Sequence, residues 1–139
     1  MNIPLNYALI CAITGWVVAQ ILKTVITSIR DKKLDLRRTI LSSGGFPSAH
    51  SAAVCALATA IARSEGLKSP LFAAVTIFAL LVMYDAIGVR WAAGQHAKVL
   101  NHLTHKNTLK EKLGHTPFEV IAGAALGIVI AFVVPYPLG

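Results

Sequence analysis

Charged residues are scarce in this chain of 139 residues. Asp, Glu, Lys and Arg make up 14% of it, whereas soluble domains average about 25%. Hydrophobic residues account for 55% of the sequence, and the mean hydropathy is +0.66. This composition argues against an ordinary soluble domain, and the length suits one small domain. We therefore treat residues 1–139 as a single membrane-embedded domain.

Cysteines and acidic residues are also few. Because Cys11 and Cys55 both lie within apolar stretches, we expect them to be small hydrophobic residues rather than a disulfide or a metal pair. Six acidic residues stand against 13 basic ones, which gives a net charge of +7. These cations form no stripe interleaved with aromatic residues, which argues against nucleic acid as a partner. Anionic lipid headgroups or a phosphate substrate fit the charge better.

Four apolar stretches are long enough, or nearly so, to cross a bilayer, which takes roughly 17–25 residues. The second is the shortest and most polar. Apolar residues at helical spacing predict that the third stretch continues into an amphipathic helix on the membrane surface. The predicted fold is an all-α, polytopic membrane bundle with about four transmembrane helices and one interfacial helix. The four stretches are 7–29, 46–62, 70–89 and 120–138, and the interfacial helix is 89–105.

Two basic loops separate these stretches. Residues 30–38 and 90–116 each contain five Lys or Arg residues. Four membrane crossings place both loops on one face, and the positive-inside rule predicts that this face is cytoplasmic. A phosphate site also needs cations, so the charge has a second explanation. We expect an integral membrane protein whose basic loops face the cytoplasm.

The first polar motif is Gly-Gly-Phe-Pro-Ser-Ala-His-Ser at 44–51. Gly45 permits a tight backbone turn, and Ser48 is a candidate N-cap for the helix that follows. A helix N-terminus offers free N–H groups to an anion. His50, in the first turn, could donate a proton to a leaving oxygen. The alternative, a capped helix whose histidine faces water, stays open.

The second motif is Gly-His-Thr-Pro-Phe-Glu-Val at 114–120. Thr116 and Glu119 fit a capping box with Pro117 at the first helical position. Glu119 could instead accept a hydrogen bond from His115, which would fix the histidine tautomer and leave its other ring nitrogen as a nucleophile. We expect that Glu119 cannot fully serve both roles.

A few further polar residues need an explanation. Asp85 lies inside the third stretch, where an ionisable group is usually paired or functional. Arg90 lies about 1.4 helical turns further on, so we expect that the two do not share a face cleanly. Lys23, near the end of the first stretch, is expected to snorkel to the interface. A solvated helix face is favoured over a metal site for three histidines, namely His96, His102 and His105.

The paired motifs resemble the type 2 phosphatidic acid phosphatase superfamily, which includes acid phosphatases and vanadium haloperoxidases. The element at 47–50 is similar to Pro-Ser-Gly-His, and His115 with Glu119 is similar to His-x-x-x-Asp. The small residues at 122–127 match the helix that follows the His-x-x-x-Asp element in the family. The chain is most similar to the divergent bacterial membrane branch, which also accounts for Gly-Gly before the proline and for the segment 85–97. The resemblance covers roughly residues 20–130 and implies an integral protein of the bacterial cytoplasmic (inner) membrane.

The resemblance implies hydrolysis of a phosphomonoester without a metal or other cofactor. His115 would attack phosphorus and form a phosphohistidine, Glu119 would orient it, and His50 would protonate the leaving alcohol. The residues implied for phosphate binding are Ser48, Arg90, Gly45, Lys23 and Arg30. The expected substrate is a membrane lipid phosphate of the phosphatidate, phosphatidylglycerol phosphate or polyprenyl phosphate class. A lipid-phosphate binding or transport protein with a degenerate pocket is the alternative, and a structural subunit whose motifs are only caps is a third.

The chain departs from the family pattern at three positions. Ala49 replaces glycine, Glu119 replaces aspartate, and Leu109 stands where the family has an arginine. We expect Arg90 to substitute for that arginine, with Lys110 and Lys112 as the other candidates. The chain is also shorter than six-span lipid phosphatases, so a helix could be lost or could be supplied by a second subunit of a homo-oligomer.

Overall fold

The computed structural model describes residues 6–32 and 44–136. Within these ranges the chain is all-α, as predicted, and contains no β-strand. Residues 33–38 of the predicted basic loop, and residues 137–138 of the fourth predicted stretch, lie outside the described ranges. The helices are α1 (Tyr7–Asp31), α2 (Ala49–Glu65), α3 (Pro70–Ile87), α4 (Val89–Thr104) and α5 (Pro117–Val133).

Helix α2 lies at the centre of the bundle and packs against α1, α3 and α5. Small residues allow this close packing. The Ala52 carbonyl is approached by Gly15 from α1 and by Gly127 from α5, and a methyl group on Gly127 would overlap it. Small residues at such contacts let membrane helices approach closely. Because protein surrounds α2, the shortest and most polar predicted stretch is still part of the bundle.

The buried face of α1 is a stripe at every fourth residue. Successive members of such a stripe lie on nearly the same side of a helix. The stripe ends with Lys23, so this lysine faces into the bundle. The buried residues are Tyr7, Cys11, Gly15, Ala19 and Lys23.

The bundle has two distinct ends. Helices α2 and α5 begin at the first end, where α3 also finishes, and this end is called the site end below. At the opposite end, called the far end, the Tyr7 and Tyr136 rings meet edge to face at 5.0 Å. By length and composition, α1 and the stretch Pro70–Thr104 are the helices of the described chain that are apolar and long enough to cross a membrane, and α5 is a shorter apolar helix.

Gly88 separates α3 from α4 and corrects one prediction. Gly88 (φ −94°, ψ −76°) is both the C-cap of α3 and the N-cap of α4, so the two helices are not continuous. Arg90 Nε therefore reaches Asp85 Oδ2 at 2.7 Å. The expectation that these two residues do not share a face was wrong, because it assumed one uninterrupted helix. Helix α4 otherwise agrees with the predicted helix at 89–105.

Candidate active site

Backbone contacts join the two histidine motifs at the site end. The Ser48 N–H donates to the Glu119 carbonyl at 3.1 Å, so the start of α2 is bound to the first turn of α5. Gly123 allows this approach, because a methyl group there would overlap the Ser48 carbonyl. Gly44 lies against the carbonyl of Gly114, whose φ of +82° favours glycine. The motifs, which begin 70 residues apart in sequence, therefore form one structure.

Helix caps place both motifs where they were predicted. The Ser48 hydroxyl accepts from the Ser51 N–H at 3.4 Å and from the Ser51 hydroxyl at 2.9 Å. Thr116 and Glu119 form the predicted capping box, with Pro117 in the first turn of α5. Both N-cap predictions are confirmed.

Glu119 also reaches His115, which the sequence analysis treated as a competing role. Its Oε2 accepts from the Thr116 N–H at 2.9 Å and lies 3.2 Å from His115 Nδ1. The expectation that Glu119 must serve one role or the other was wrong, because a carboxylate oxygen has more than one lone pair. With Nδ1–H donating to Glu119, His115 Nε2 is the unprotonated nitrogen and can act as a nucleophile.

His115 is almost completely buried, with 5% of its surface exposed. Its N–H donates to the Ala86 carbonyl at 2.9 Å, which fixes it to the end of α3. Burial lowers the pKa of His115 below its ordinary value, since the charged imidazolium loses hydration. The Glu119 carboxylate opposes this effect, whereas Lys23 and Arg90 add to it. The lowered pKa favours the neutral imidazole, which is the form that can act as a nucleophile.

His50 is exposed in the first turn of α2. It interacts electrostatically with Arg90, His115, Lys23 and Asp85. The two motif histidines and the two cations therefore share one electrostatic environment. The structure brings His50, His115, Glu119, Lys23 and Arg90 to the site end of the bundle.

Lys23 is the residue that the sequence analysis placed least well. Only 4% of its surface is exposed, so the expectation that it snorkels to the interface was wrong. Its side chain runs along Gly45, whose φ is +109° and whose added methyl group would lie 3.1 Å from Lys23 Cε. The repeat of buried small residues at 11, 15 and 19 was the signal in the sequence, because it continues to position 23.

The other proposed cations are exposed on the protein surface. Arg30 pairs with Asp31 at the exposed end of α1, about 10 Å along the helix from Lys23 at 1.5 Å per residue. Lys110 and Lys112 are exposed. Of the candidates to replace the family arginine, Arg90 is the one that acts electrostatically on both motif histidines.

Leu109 is held away from these residues. Its N–H donates to Asn101 Oδ1 at 3.1 Å, and its carbonyl accepts from Asn101 Nδ2 at 2.9 Å. Asn101 is eleven residues after Arg90 on α4, roughly 16 Å along that helix. The position that carries an arginine in the family is therefore fixed near the other end of α4.

The remaining predicted phosphate ligands, Ser48 and Gly45, belong to the first motif and differ in exposure to solvent. Ser48 is fully buried, so the structure gives its hydroxyl a capping role, and phosphate contact by Ser48 stays a prediction.

The three histidines considered for a metal site are exposed, His96 and His102 on α4 and His105 at its C-cap. No group of three His, Cys, Asp or Glu residues in the described ranges lies close enough to hold a metal ion.

Comparison with known proteins gives a relative and a family. The chain is 38% identical to the "Uncharacterized membrane protein YuiD" of Bacillus subtilis (strain 168) over an alignment of 156 residues, which covers 98% of each chain. No solved structure matches it. Together with its apolar helices, this similarity makes the protein an integral helical membrane protein. Residues 5–130 match a family described as the Divergent PAP2 family, and the chain belongs to that family.

Proposed function

We propose that this protein is a metal-independent phosphatase that hydrolyses a membrane lipid phosphate through a phosphohistidine. The observation that carries the proposal is the His115–Glu119 pair, held at 3.2 Å beside the histidine at the start of α2. Family membership supports a phosphatase-related chemistry. The apolar helices around the site support a substrate that resides in the bilayer.

In the first step, His115 Nε2 attacks phosphorus while Nδ1–H remains bound to Glu119. A P–N bond forms as the bond from phosphorus to the lipid oxygen breaks. His50 donates its proton to that oxygen, so the lipid leaves as a neutral alcohol. The Glu119 carboxylate stabilises the positive charge that develops on the His115 ring.

In the second step, water hydrolyses the phosphohistidine. His50, now neutral, accepts a proton from the attacking water, and inorganic phosphate is released. Lys23 and Arg90 offset the negative charge on the phosphoryl oxygens during both transfers. The Ala49 and His50 N–H groups, at the N-terminus of α2, are further donors for these oxygens.

The test is phosphate release by the purified protein in detergent from phosphatidate, phosphatidylglycerol phosphate and a polyprenyl phosphate. We expect release from at least one lipid, with a loss of about 10²-fold or more in His115→Ala and His50→Ala. His102→Ala is the matched control, because His102 is exposed on α4, and it should retain activity. Equal rates in wild type and His115→Ala would refute the proposal.

A second candidate function is lipid-phosphate binding without hydrolysis. One observation favours it: Leu109, at the position of the arginine in the family motif, is hydrogen-bonded to Asn101 away from the site. Rapid quench of a reaction with ³²P-labelled lipid phosphate in alkaline detergent separates the two functions. A phosphatase gives an acid-labile, base-stable label on His115. Tight vanadate binding without label or turnover would instead identify a binding protein.

A further inference from the structure

An apolar groove of about 470 Å³ runs along the bundle between α2, α3 and α5. This volume is within the range of ordinary ligand pockets. Its walls are mostly aliphatic and aromatic side chains, and Arg63 is its single charged member within the described chain. The groove is distinct from the candidate active site. Its lining includes Cys55, Ala58, Phe72, Leu80, Met83 and Ile128.

Arg63 marks the far end of this groove. It lies in the last turn of α2, 13 residues after His50, and therefore about 20 Å along the helix from the candidate site. Leu67 and Phe132 line the same end. The groove thus begins near the far-end interface and extends toward the middle of the bundle, where Cys55 and Met83 lie.

The Arg63 guanidinium is fixed in place by the protein. Its Nη1 donates to the Tyr7 hydroxyl and to the Ala131 carbonyl. Its central carbon lies 5.1 Å from the centre of the Phe132 ring and 5.9 Å from that of Tyr136. A guanidinium has five N–H donors. The two bonds to Tyr7 and Ala131 use only the N–H groups of Nη1. In the described part of the chain no carboxylate pairs with Arg63.

We propose that this groove binds an anionic phospholipid, with its phosphate at Arg63 and one acyl chain between α2, α3 and α5. A fixed guanidinium suits a phosphate, and cations at the membrane interface attract anionic headgroups. The neighbouring apolar groove suits a chain and excludes water. The lipid would bridge α3 and α5, which make few direct contacts. The proposal does not depend on phosphatase activity.

Alkylation of Cys55 by N-ethylmaleimide tests this site in the purified full chain in detergent. Cys55 lines the groove, whereas Cys11 is fully buried and serves as an internal control. We expect phosphatidylglycerol to slow Cys55 alkylation about fivefold more than phosphatidylcholine, which is the factor given by one interfacial cation. Arg63→Gln should abolish this difference, and Arg63→Lys should restore part of it.

Lys68→Gln is the matched control, because Lys68 is an exposed far-end cation outside the groove lining, and it should keep the preference. Ala58→Phe fills the groove without removing Arg63 and should abolish protection by either lipid. Size-exclusion chromatography checks that each variant is folded. Equal protection by both lipids, or a preference that survives Arg63→Gln, would overturn the proposal. If protection of Cys55 instead increased with protein concentration, a second copy of the chain would occupy the groove, and the proposal would also be overturned.

Discussion

Glu119 determines both where α5 begins and how His115 is oriented. One carboxylate oxygen contacts the Thr116 N–H and the His115 ring, so the cap and the proposed nucleophile share a single acceptor. A change at this residue therefore affects position and electrostatics together. The chemical and structural contributions are separable by comparing substitutions that keep or shorten the side chain.

Glu119→Gln should lower kcat by about 10²-fold or more, because an amide cannot balance the charge on His115 during attack. The wild-type acidic limb of kcat/KM should lie below pH 6.5, since burial lowers the pKa of His115 from its ordinary 6.5 and protonation blocks attack. The Glu119 carboxylate raises this pKa. Its removal should move the limb to still lower pH. Initial rates from pH 4.5 to 8 provide the measurement.

Two controls accompany this pH profile. Glu65→Gln removes an exposed carboxylate at the far end of α2 and should leave the profile unchanged. Glu119→Asp keeps the charge but is one methylene shorter, so it should lower kcat mainly by weakening the contact with His115. An acidic limb that moves to higher pH in Glu119→Gln would contradict the assigned interaction.

Lys23 and Arg30 give a second residue-scale prediction. Lys23→Met should lower kcat/KM by about 10²–10³-fold, the usual effect of removing one donor that stabilises developing charge. Methionine keeps most of the side-chain volume beside Gly45. Arg30→Gln should change kcat/KM by less than about twofold, because Arg30 is paired with Asp31 at the exposed end of α1. A larger loss from Arg30→Gln than from Lys23→Met would reject this assignment.

At the scale of elements, glycines determine how closely α5 approaches α2. Gly123 faces the Ser48 carbonyl beside the site, whereas Gly127 faces Ala52 one turn deeper in the bundle. Both Gly123→Ala and Gly127→Ala should destabilise the protein by about 1–3 kcal/mol through overpacking. Ala125→Ser, on the exposed face of α5, adds one atom without a clash and is the control.

The two glycine variants should differ in activity. Gly123→Ala should lower kcat at least about tenfold, because it displaces Ser48 and the start of α2 from Glu119. Gly127→Ala should retain a larger share of the wild-type kcat. Thermal unfolding in detergent measures the loss of stability, and lipid phosphate hydrolysis below the unfolding range measures activity. Equal activity losses in the two variants would show that the contact with Ser48 has no special effect.

The sequence predicted those features that depend on neighbouring residues. The caps at Ser48 and Thr116 were predicted because their partners lie three residues away. The Asp85–Arg90 pair was missed because Gly88 interrupts the helix, and a hydropathy pattern does not show such a break. Burial of Lys23 depends on which face of α1 meets α2, which is a property of the assembled bundle.

At the scale of the molecule, the positive charge is concentrated in two segments of the sequence. The segments 30–38 and 90–116 carry ten Lys and Arg residues in the sequence, whereas the described part of the far end has Arg63 and Lys68. The candidate site requires some of these cations, notably Arg90. The others lie outside it, as the exposed Lys110 and Lys112 do. The orientation of the protein in the membrane is best inferred from cations that have no role in the site.

The charge distribution predicts a cytoplasmic site end. His102→Cys places a thiol on the exposed surface of α4, and Lys68→Cys places one at the far end. In intact bacterial cells a charged, membrane-impermeant maleimide should label Lys68→Cys, whereas His102→Cys should be labelled only after permeabilisation. Cys11 is buried and Cys55 lines the apolar groove, so labelling of the wild-type chain is measured as the background control. The reverse pattern would place the site outside the cytoplasm and restrict the substrate to lipid phosphates of the outer leaflet.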